Sequence, residues 1–97
     1  MEVIVNHAHS QEIALERAKN MMNKLLEKYG PQVKNLQENW NGNTGTYSCS
    51  YNGMSLSGSI QVNDNNVVVN GKLPFFALPL SVMVENAIRS NVENALK

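Results

Sequence analysis

The sequence predicts an α+β fold, a two-layer sandwich of element order β-α-β-β-β-β-α with an antiparallel meander sheet and two helices on one face. Two stretches, one near each end of the chain, repeat apolar residues with helical spacing. Between them, alternating segments are separated by turns rich in asparagine and glycine, which is typical of hairpins. Each helix has one apolar stripe and the sheet has one apolar face, so packing both helices on that face buries all three surfaces.

The first two elements are a short strand and a long helix. Residues 2–7 are rich in β-branched side chains and predict a strand. Ser10 is a suitable N-cap for a helix over residues 10–29, whose apolar residues recur along one stripe. Gly30 and then Pro31 predict its end, with the glycine in the left-handed conformation.

The Tyr51-Asn52-Gly53-Met54 segment predicts the strand pairing most sharply, because Asn-Gly is a strong two-residue hairpin turn. A turn there separates an apolar face from a face of hydroxyls, as a half-solvated sheet requires. The apolar pairs are Tyr51–Met54, Cys49–Leu56, Tyr47–Gly58 and Gly45–Ile60, and the hydroxyl pairs are Ser50–Ser55, Ser48–Ser57 and Thr46–Ser59.

The neighbouring turns extend this register. A turn at Asp64-Asn65 predicts the pairs Val62–Val67, Ile60–Val69, Gly58–Gly71 and Leu56–Leu73 on the apolar face. The first hairpin, over residues 33–51, has an open register, because turns at 41–42 and at 42–43 both fit. Either turn places Leu36, Glu38 and Trp40 on the inner face.

The segment 71–81 turns the last strand into the last helix, which we expect over residues 79–96 with Pro79 in its first turn. Leu73 and Phe75 continue the alternation of the last strand, so their side chains are predicted to lie on the inner face. Pro74 has no N–H group, so residues 66–75 are predicted to form an edge strand. Phe76, Ala77 and Leu78 then form an apolar corner that we predict to contact a hydrophobic partner.

Length and composition predict one domain, residues 1–97, in a reducing cytoplasm, since the single cysteine allows no internal disulfide. Eight basic residues balance eight acidic ones, which argues against a nucleic-acid or anionic-membrane binder and is compatible with a homodimer. The N-terminus does not resemble a signal peptide, and no apolar stretch has the length of a transmembrane segment.

One row of the predicted sheet suggests a binding site. Tyr47, Gly58 and Gly71 lie side by side, and the two glycines leave a notch in the inner face. The notch is explained either by close packing of a helix or of the Tyr47 ring, or by a small apolar pocket that takes an acyl-like ligand. The candidate ligand-binding residues are Trp40, Tyr47, Gly58, Gly71, Leu73 and Phe75.

The sequence contains no catalytic motif, and we predict neither a catalytic residue nor a cofactor. His7 and His9 could supply two metal ligands on one side of a strand, but zinc needs three or four, so no metal site is predicted. Cys49 is expected to be a buried apolar thiol, and Glu38 an acid near a strand end that reaches water. The serine ladder has no partners of triad type.

Six short motifs along the chain are Gly71-Lys72-Leu73-Pro74-Phe75, Pro79-Leu80-Ser81, Val84-Glu85-Asn86-Ala87-Ile88, His9-Ser10, Trp40-Asn41-Gly42 and Gly58-Ser59-Ile60-Gln61-Val62. Together they resemble one bacterial family, the polyhydroxyalkanoic acid system proteins or polyhydroxyalkanoate granule-region family. The resemblance implies a short cytoplasmic protein whose gene lies near those for storage-polyester synthesis and granules. It implies no activity and no catalytic residues.

Two functions fit these observations. The first is a non-enzymatic accessory protein that binds a polyester granule surface, an acyl ligand or a protein partner. The second is a small enzyme of helix-grip or cyclase-like kind, acting in a cavity between sheet and helices.

Overall fold

A computed structural model describes residues 1–72 and 81–97 of the chain. It confirms the predicted order of two helices and five strands. The elements are β1 (Glu2–Asn6), α1 (Gln11–Tyr29), β2 (Val33–Asn41), β3 (Thr44–Tyr51), β4 (Met54–Val62), β5 (Asn66–Lys72) and α2 (Ser81–Ala95), with a 3₁₀ turn at Gly30–Gln32 between α1 and β2. The expected start of the last helix at Pro79 lies outside the described residues.

The strands form one antiparallel sheet in the order β1-β5-β4-β3-β2. The register predicted from the two later hairpins is confirmed, with Tyr47 opposite Gly58 and Gly58 opposite Gly71. Asn52 and Gly53 have φ angles of 49° and 80°, as a two-residue turn with two left-handed positions requires. The predicted partner of Leu56, residue 73, lies outside the described residues.

The first hairpin turns at residues 42–43, because Asn41 lies opposite Thr44. This turn places Trp40 opposite Gly45 and Glu38 opposite Tyr47. Both residues lie on the inner face, which either turn predicted. The register shifts between Lys34 and Gln37, a bulge in which Asn35 has a φ of 55°. Leu36 lies within this bulge and stays 40% exposed, so it adds little to the core.

The prediction that residues 66–75 form an edge strand was wrong for the described part, because β5 lies between β4 and β1. Val3 pairs with Val69 and Val5 with Val67. The prediction depended on the missing N–H of Pro74, which says nothing about the residues before it. The partner strand comes from the opposite end of the chain, where no local pattern indicates it. Pro74 itself lies outside the described residues.

The helix α1 begins and ends as predicted, but the conformation of Gly30 after its end differs from the prediction. The Ser10 hydroxyl caps it by accepting a hydrogen bond from the Ile13 N–H at 3.2 Å. Gly30 was expected in the left-handed conformation, but its φ is −50° and the chain continues into the 3₁₀ turn. A residue before proline avoids the helical region because its Cβ meets the proline ring, and glycine has no Cβ. Gly30 can therefore stay helical before Pro31.

Both helices pack on the same face of the sheet, as the apolar patterns predict. Their small and branched side chains join those of β1, β4 and β5 in one core. That core consists of Val3, Val5, Ala14, Ala18, Ile60, Val62, Val67, Val92 and Leu96. Arg17 on α1 links this helix to the C-terminal end of α2. Its Nη1 donates hydrogen bonds to the carbonyl oxygens of Ala95 at 3.3 Å and Lys97 at 2.9 Å. Neither described helix is long and apolar enough to cross a membrane.

Candidate functional site

A cleft of about 470 Å³ lies between the inner face of the sheet and the two helices. Most of its described lining is apolar, and it includes the glycine row that the register predicts. The sheet contributes Tyr47, Leu56, Gly58, Ile60, Val69 and Gly71, α1 contributes Met21, Met22 and Leu25, and α2 contributes Val84, Ala87, Ile88 and Val92. The cleft therefore has its floor on the paired strands and its walls on the helices.

The glycine row forms the floor because two strands approach closely there. A Cβ atom on Gly58 would lie 2.6 Å from the backbone oxygen of Asn70, a distance that real Cβ atoms do not show. Only glycine fits this position without a shift of the neighbouring strand. At Gly71 the nearest atom to such a Cβ would be the terminal methyl of Met1, at 2.8 Å. Backbone packing thus explains Gly58, and Met1 fills part of the notch at Gly71.

Met1 is a lining residue that no local sequence pattern indicates. Its carbonyl oxygen accepts a hydrogen bond from the Gly71 N–H at 2.9 Å, and its amino group donates to the Gly71 oxygen at 3.2 Å. This reciprocal pair extends the β1–β5 ladder by one residue and brings the methionine side chain to the glycine. The contact joins residues 70 positions apart, which is why only the strand order reveals it.

Tyr47 borders the cleft with its ring, and its hydroxyl belongs to a polar cluster beside it. The hydroxyl donates to Glu38 Oε2 at 2.5 Å and accepts from Trp40 Nε1 at 3.0 Å. Trp40 Nε1 also lies 3.3 Å from the same carboxylate oxygen. Burial raises the pKa of Tyr47 well above its usual value, and the hydrogen bond to Glu38 raises it further. The phenol is therefore a neutral donor at physiological pH.

Trp40 lies behind Tyr47 and is not among the described residues that border the cleft. Its ring covers Gly45, where an added Cβ would come within 2.6 Å of the indole, and it meets the Tyr47 ring edge-on at 6.2 Å. Lys19 on α1 places its ammonium group 5.0 Å from the centroid of the Trp40 indole. Trp40 thus supports the Tyr47 wall.

Of the six predicted ligand-binding residues, the structure brings Tyr47, Gly58 and Gly71 together around the cleft. Leu73 and Phe75 lie outside the described residues. The predicted contact corner, Phe76, Ala77 and Leu78, also lies outside them.

The two histidines take part in hydrogen bonds that hold loops in place. The Nε2 of His7 bonds the Asn63 carbonyl at 2.9 Å, while its Nδ1 accepts from the His9 N–H at 3.2 Å. The Nε2 of His9 bonds the Leu96 carbonyl at 2.7 Å. Together they connect the β1–α1 loop to the β4–β5 turn and to the end of α2. Within residues 1–72 and 81–97, no three His, Cys, Asp or Glu side chains group as metal ligands would.

The ionisable side chains around the cleft are few. Lys28, Tyr29, Tyr47 and Lys72 border it, and its described lining includes no Asp, Glu, His or Cys. Cys49 is half-buried on β3 opposite Leu56, and Glu38 is exposed beside Tyr47. The cleft thus combines apolar walls with two cations at its border.

The fold and this cleft define a small α+β protein in which a largely apolar cleft lies between a five-stranded sheet and two helices. Residues 1–96 match the model of a family described as "putative polyhydroxyalkanoic acid system protein", and the chain belongs to this family. The match confirms the resemblance that the short motifs indicate. Comparisons with curated proteins and with solved structures gave no match.

Proposed function

We propose that this member of the polyhydroxyalkanoic acid system family is a non-enzymatic accessory protein that binds an acyl chain in the cleft. The observation that carries the proposal is the apolar lining of a space of about 470 Å³. That volume falls in the range of roughly 300–1,000 Å³ usual for small-molecule sites. Each methylene transferred from water into such a space contributes about 0.8 kcal/mol.

The side chains at the cleft favour binding over catalysis. General acid–base chemistry needs a titratable group within reach of the substrate, most often a histidine or a carboxylate. The described lining offers neither, and its tyrosine with the raised pKa, Tyr47, is a poor proton acceptor. A helix-grip or cyclase-like enzyme is therefore the less favoured alternative.

The proposed contact with a hydrophobic surface, such as a polyester granule, is supported at the start of α2. Val82 and Met83 are 67% and 69% exposed there. They follow shortly after the predicted contact corner at residues 76–78. Two neighbouring apolar side chains with this exposure extend the apolar segment into the first turn of the helix.

We also propose a homodimer. Both edges of the sheet discourage pairing with a strand of another molecule, so we expect the two copies to meet through their helices. On the β1 edge, Arg89 Nη1 donates a hydrogen bond to the Ile4 carbonyl oxygen at 3.0 Å. This carbonyl is therefore already paired and is not available to accept a hydrogen bond from an added strand. On the β2 edge, the bulge near Asn35 interrupts the ladder. Both devices discourage strand-to-strand pairing.

Calorimetric titration with sodium decanoate tests the acyl-binding proposal. We expect binding to the wild-type protein, and loss of binding in Ala87→Trp, whose indole would fill the cleft from α2. Asn86→Trp is the matched control, because Asn86 and Ala87 are neighbours that are both exposed, and Asn86 is not among the cleft's described lining residues. Absence of binding to the wild type, or equal binding to Ala87→Trp, would overturn the proposal.

A further inference from the structure

A second cavity lies on the outer side of the helix layer, in the groove between α1 and α2, with a volume of about 720 Å³. Its lining is mainly polar and charged, unlike that of the cleft. The residues are Ile13, Glu16, Arg17, Asn20, Met21, Lys24, Leu25, Lys28, Asn91, Asn94 and Ala95. We call this cavity the outer groove.

The outer groove and the cleft meet in the gap between the helices. Four residues border both of them, namely Met21, Leu25, Lys28 and Asn91. The helices are fastened at one end by Arg17, which donates to the last carbonyls of the chain. The shared border lies further along α1, towards its C-terminal half. A ligand in the cleft would therefore lie next to the outer groove at this shared border.

The charge of the outer groove is positive. Arg17, Lys24 and Lys28 face a single acid, Glu16. Arg17 donates to the carbonyl oxygens of Ala95 and Lys97, and the Lys28 ammonium lies 5.4 Å from the centroid of the Tyr29 ring at the border of the cleft. Lys24 and Lys28 are therefore the two lysines of the outer groove that a ligand could meet. They are four residues apart on α1 and so lie on one side of the helix. Asn20 and Asn94 add neutral hydrogen-bonding groups next to them.

We infer that the ligand is an acyl chain joined to an anionic head group, with the chain in the cleft and the head in the outer groove near Lys24 and Lys28. This inference rests on the proposed acyl-binding function and specifies the class of its ligand. An apolar space that opens beside two lysines matches a molecule with one apolar and one anionic end. A carboxylate and a phosphate both have the chemistry that lysine recognises.

Three probes with the same ten-carbon chain test the head group, namely decan-1-ol, sodium decanoate and decyl phosphate. In calorimetric titrations at low salt we expect at least one anionic probe to bind about 5-fold tighter than the alcohol, which corresponds to one charge pair at the upper end of its usual contribution. The double substitution Lys24→Gln and Lys28→Gln is expected to remove this difference. The double substitution Lys34→Gln and Lys97→Gln is the charge-matched control, because neither lysine is among the described lining residues of the two cavities.

The outcomes separate this inference from the proposed function. If no probe binds, the proposed function and this inference both fail. If all three probes bind equally, or if the variant with both Lys24→Gln and Lys28→Gln keeps the preference for an anionic probe, the cleft binds acyl chains and the head-group inference is overturned. A preference for decyl phosphate over decanoate would assign the head to a phosphate, and the reverse order would assign it to a carboxylate.

Discussion

The hydroxyl of Tyr47 on β3 donates a hydrogen bond of 2.5 Å to the Glu38 carboxylate on β2. The bond crosses one hairpin and holds the ring that borders the cleft. Trp40 on β2 completes the cluster, because its indole N–H is directed at both the Tyr47 hydroxyl oxygen and Glu38 Oε2. The sequence predicts that these three residues share the inner face, but the hydrogen bonds among them depend on the turn at residues 42–43.

The Tyr47–Glu38 bond predicts a pH dependence of stability in the alkaline range. Burial, followed by the hydrogen bond to Glu38, raises the folded-state pKa of Tyr47 above the 10.0 of an unperturbed tyrosine. The neutral phenol therefore stabilises the folded state fully below about pH 10, and this contribution is lost as the pH rises further. We expect the difference in unfolding free energy between wild type and Tyr47→Phe to shrink between pH 9 and about pH 11. Denaturant titrations at each pH measure it, and a constant difference would contradict the assignment.

Removal of the Tyr47 ring should cost stability. Truncation of a fully buried aromatic residue costs about 3–5 kcal/mol, and Tyr47 is only half-buried, so we expect Tyr47→Ala to cost about 2–4 kcal/mol. Tyr47→Phe keeps the ring and should cost about 0.5–1.5 kcal/mol for the lost hydrogen bond. Urea unfolding of the two variants gives both values. A near-neutral Tyr47→Ala would mean that the ring covers the cleft without supporting the core.

The two glycines of the floor should respond differently to alanine. Gly58→Ala places its methyl group against the Asn70 backbone oxygen, which can move only with its strand, so we expect a loss of about 2–3 kcal/mol. Gly71→Ala is the matched control in the same row, because its methyl meets the flexible end of Met1. We expect the control to cost less than about 1 kcal/mol. Thermal unfolding compares them, and equal losses would argue against the close strand approach at Gly58.

Local patterns predict the fold well where the interactions are local. Asn52 and Gly53 determine the β3–β4 register, which places Tyr47 beside Gly58. The turn at Asp64-Asn65 determines the β4–β5 register, which places Gly71 on the other side of Gly58. Elements joined by short turns have few alternative pairings once one face must be apolar. The fold class and the row formed by Tyr47, Gly58 and Gly71 follow from this argument.

Contacts between distant parts of the chain were not predictable in the same way. The pairing of β1 with β5 makes β5 an inner strand and brings Met1 to Gly71, across 70 residues. Many strand orders satisfy the same alternation, so sequence alone does not select one. The outer groove likewise depends on how α1 and α2 are placed relative to each other, which their apolar stripes leave open.

The most direct test of acyl binding in the cleft uses the five methionine methyl groups as NMR reporters. Met1, Met21 and Met22 border the cleft, whereas Met54 and Met83 are not among its described lining residues. On titration of methyl-labelled protein with sodium decanoate, we expect saturable shifts at Met21 and Met22, with a smaller or similar shift at Met1. The signals of Met54 and Met83 should stay in place. Unchanged signals at Met21 and Met22, or shifts confined to Met54 and Met83, would contradict the account.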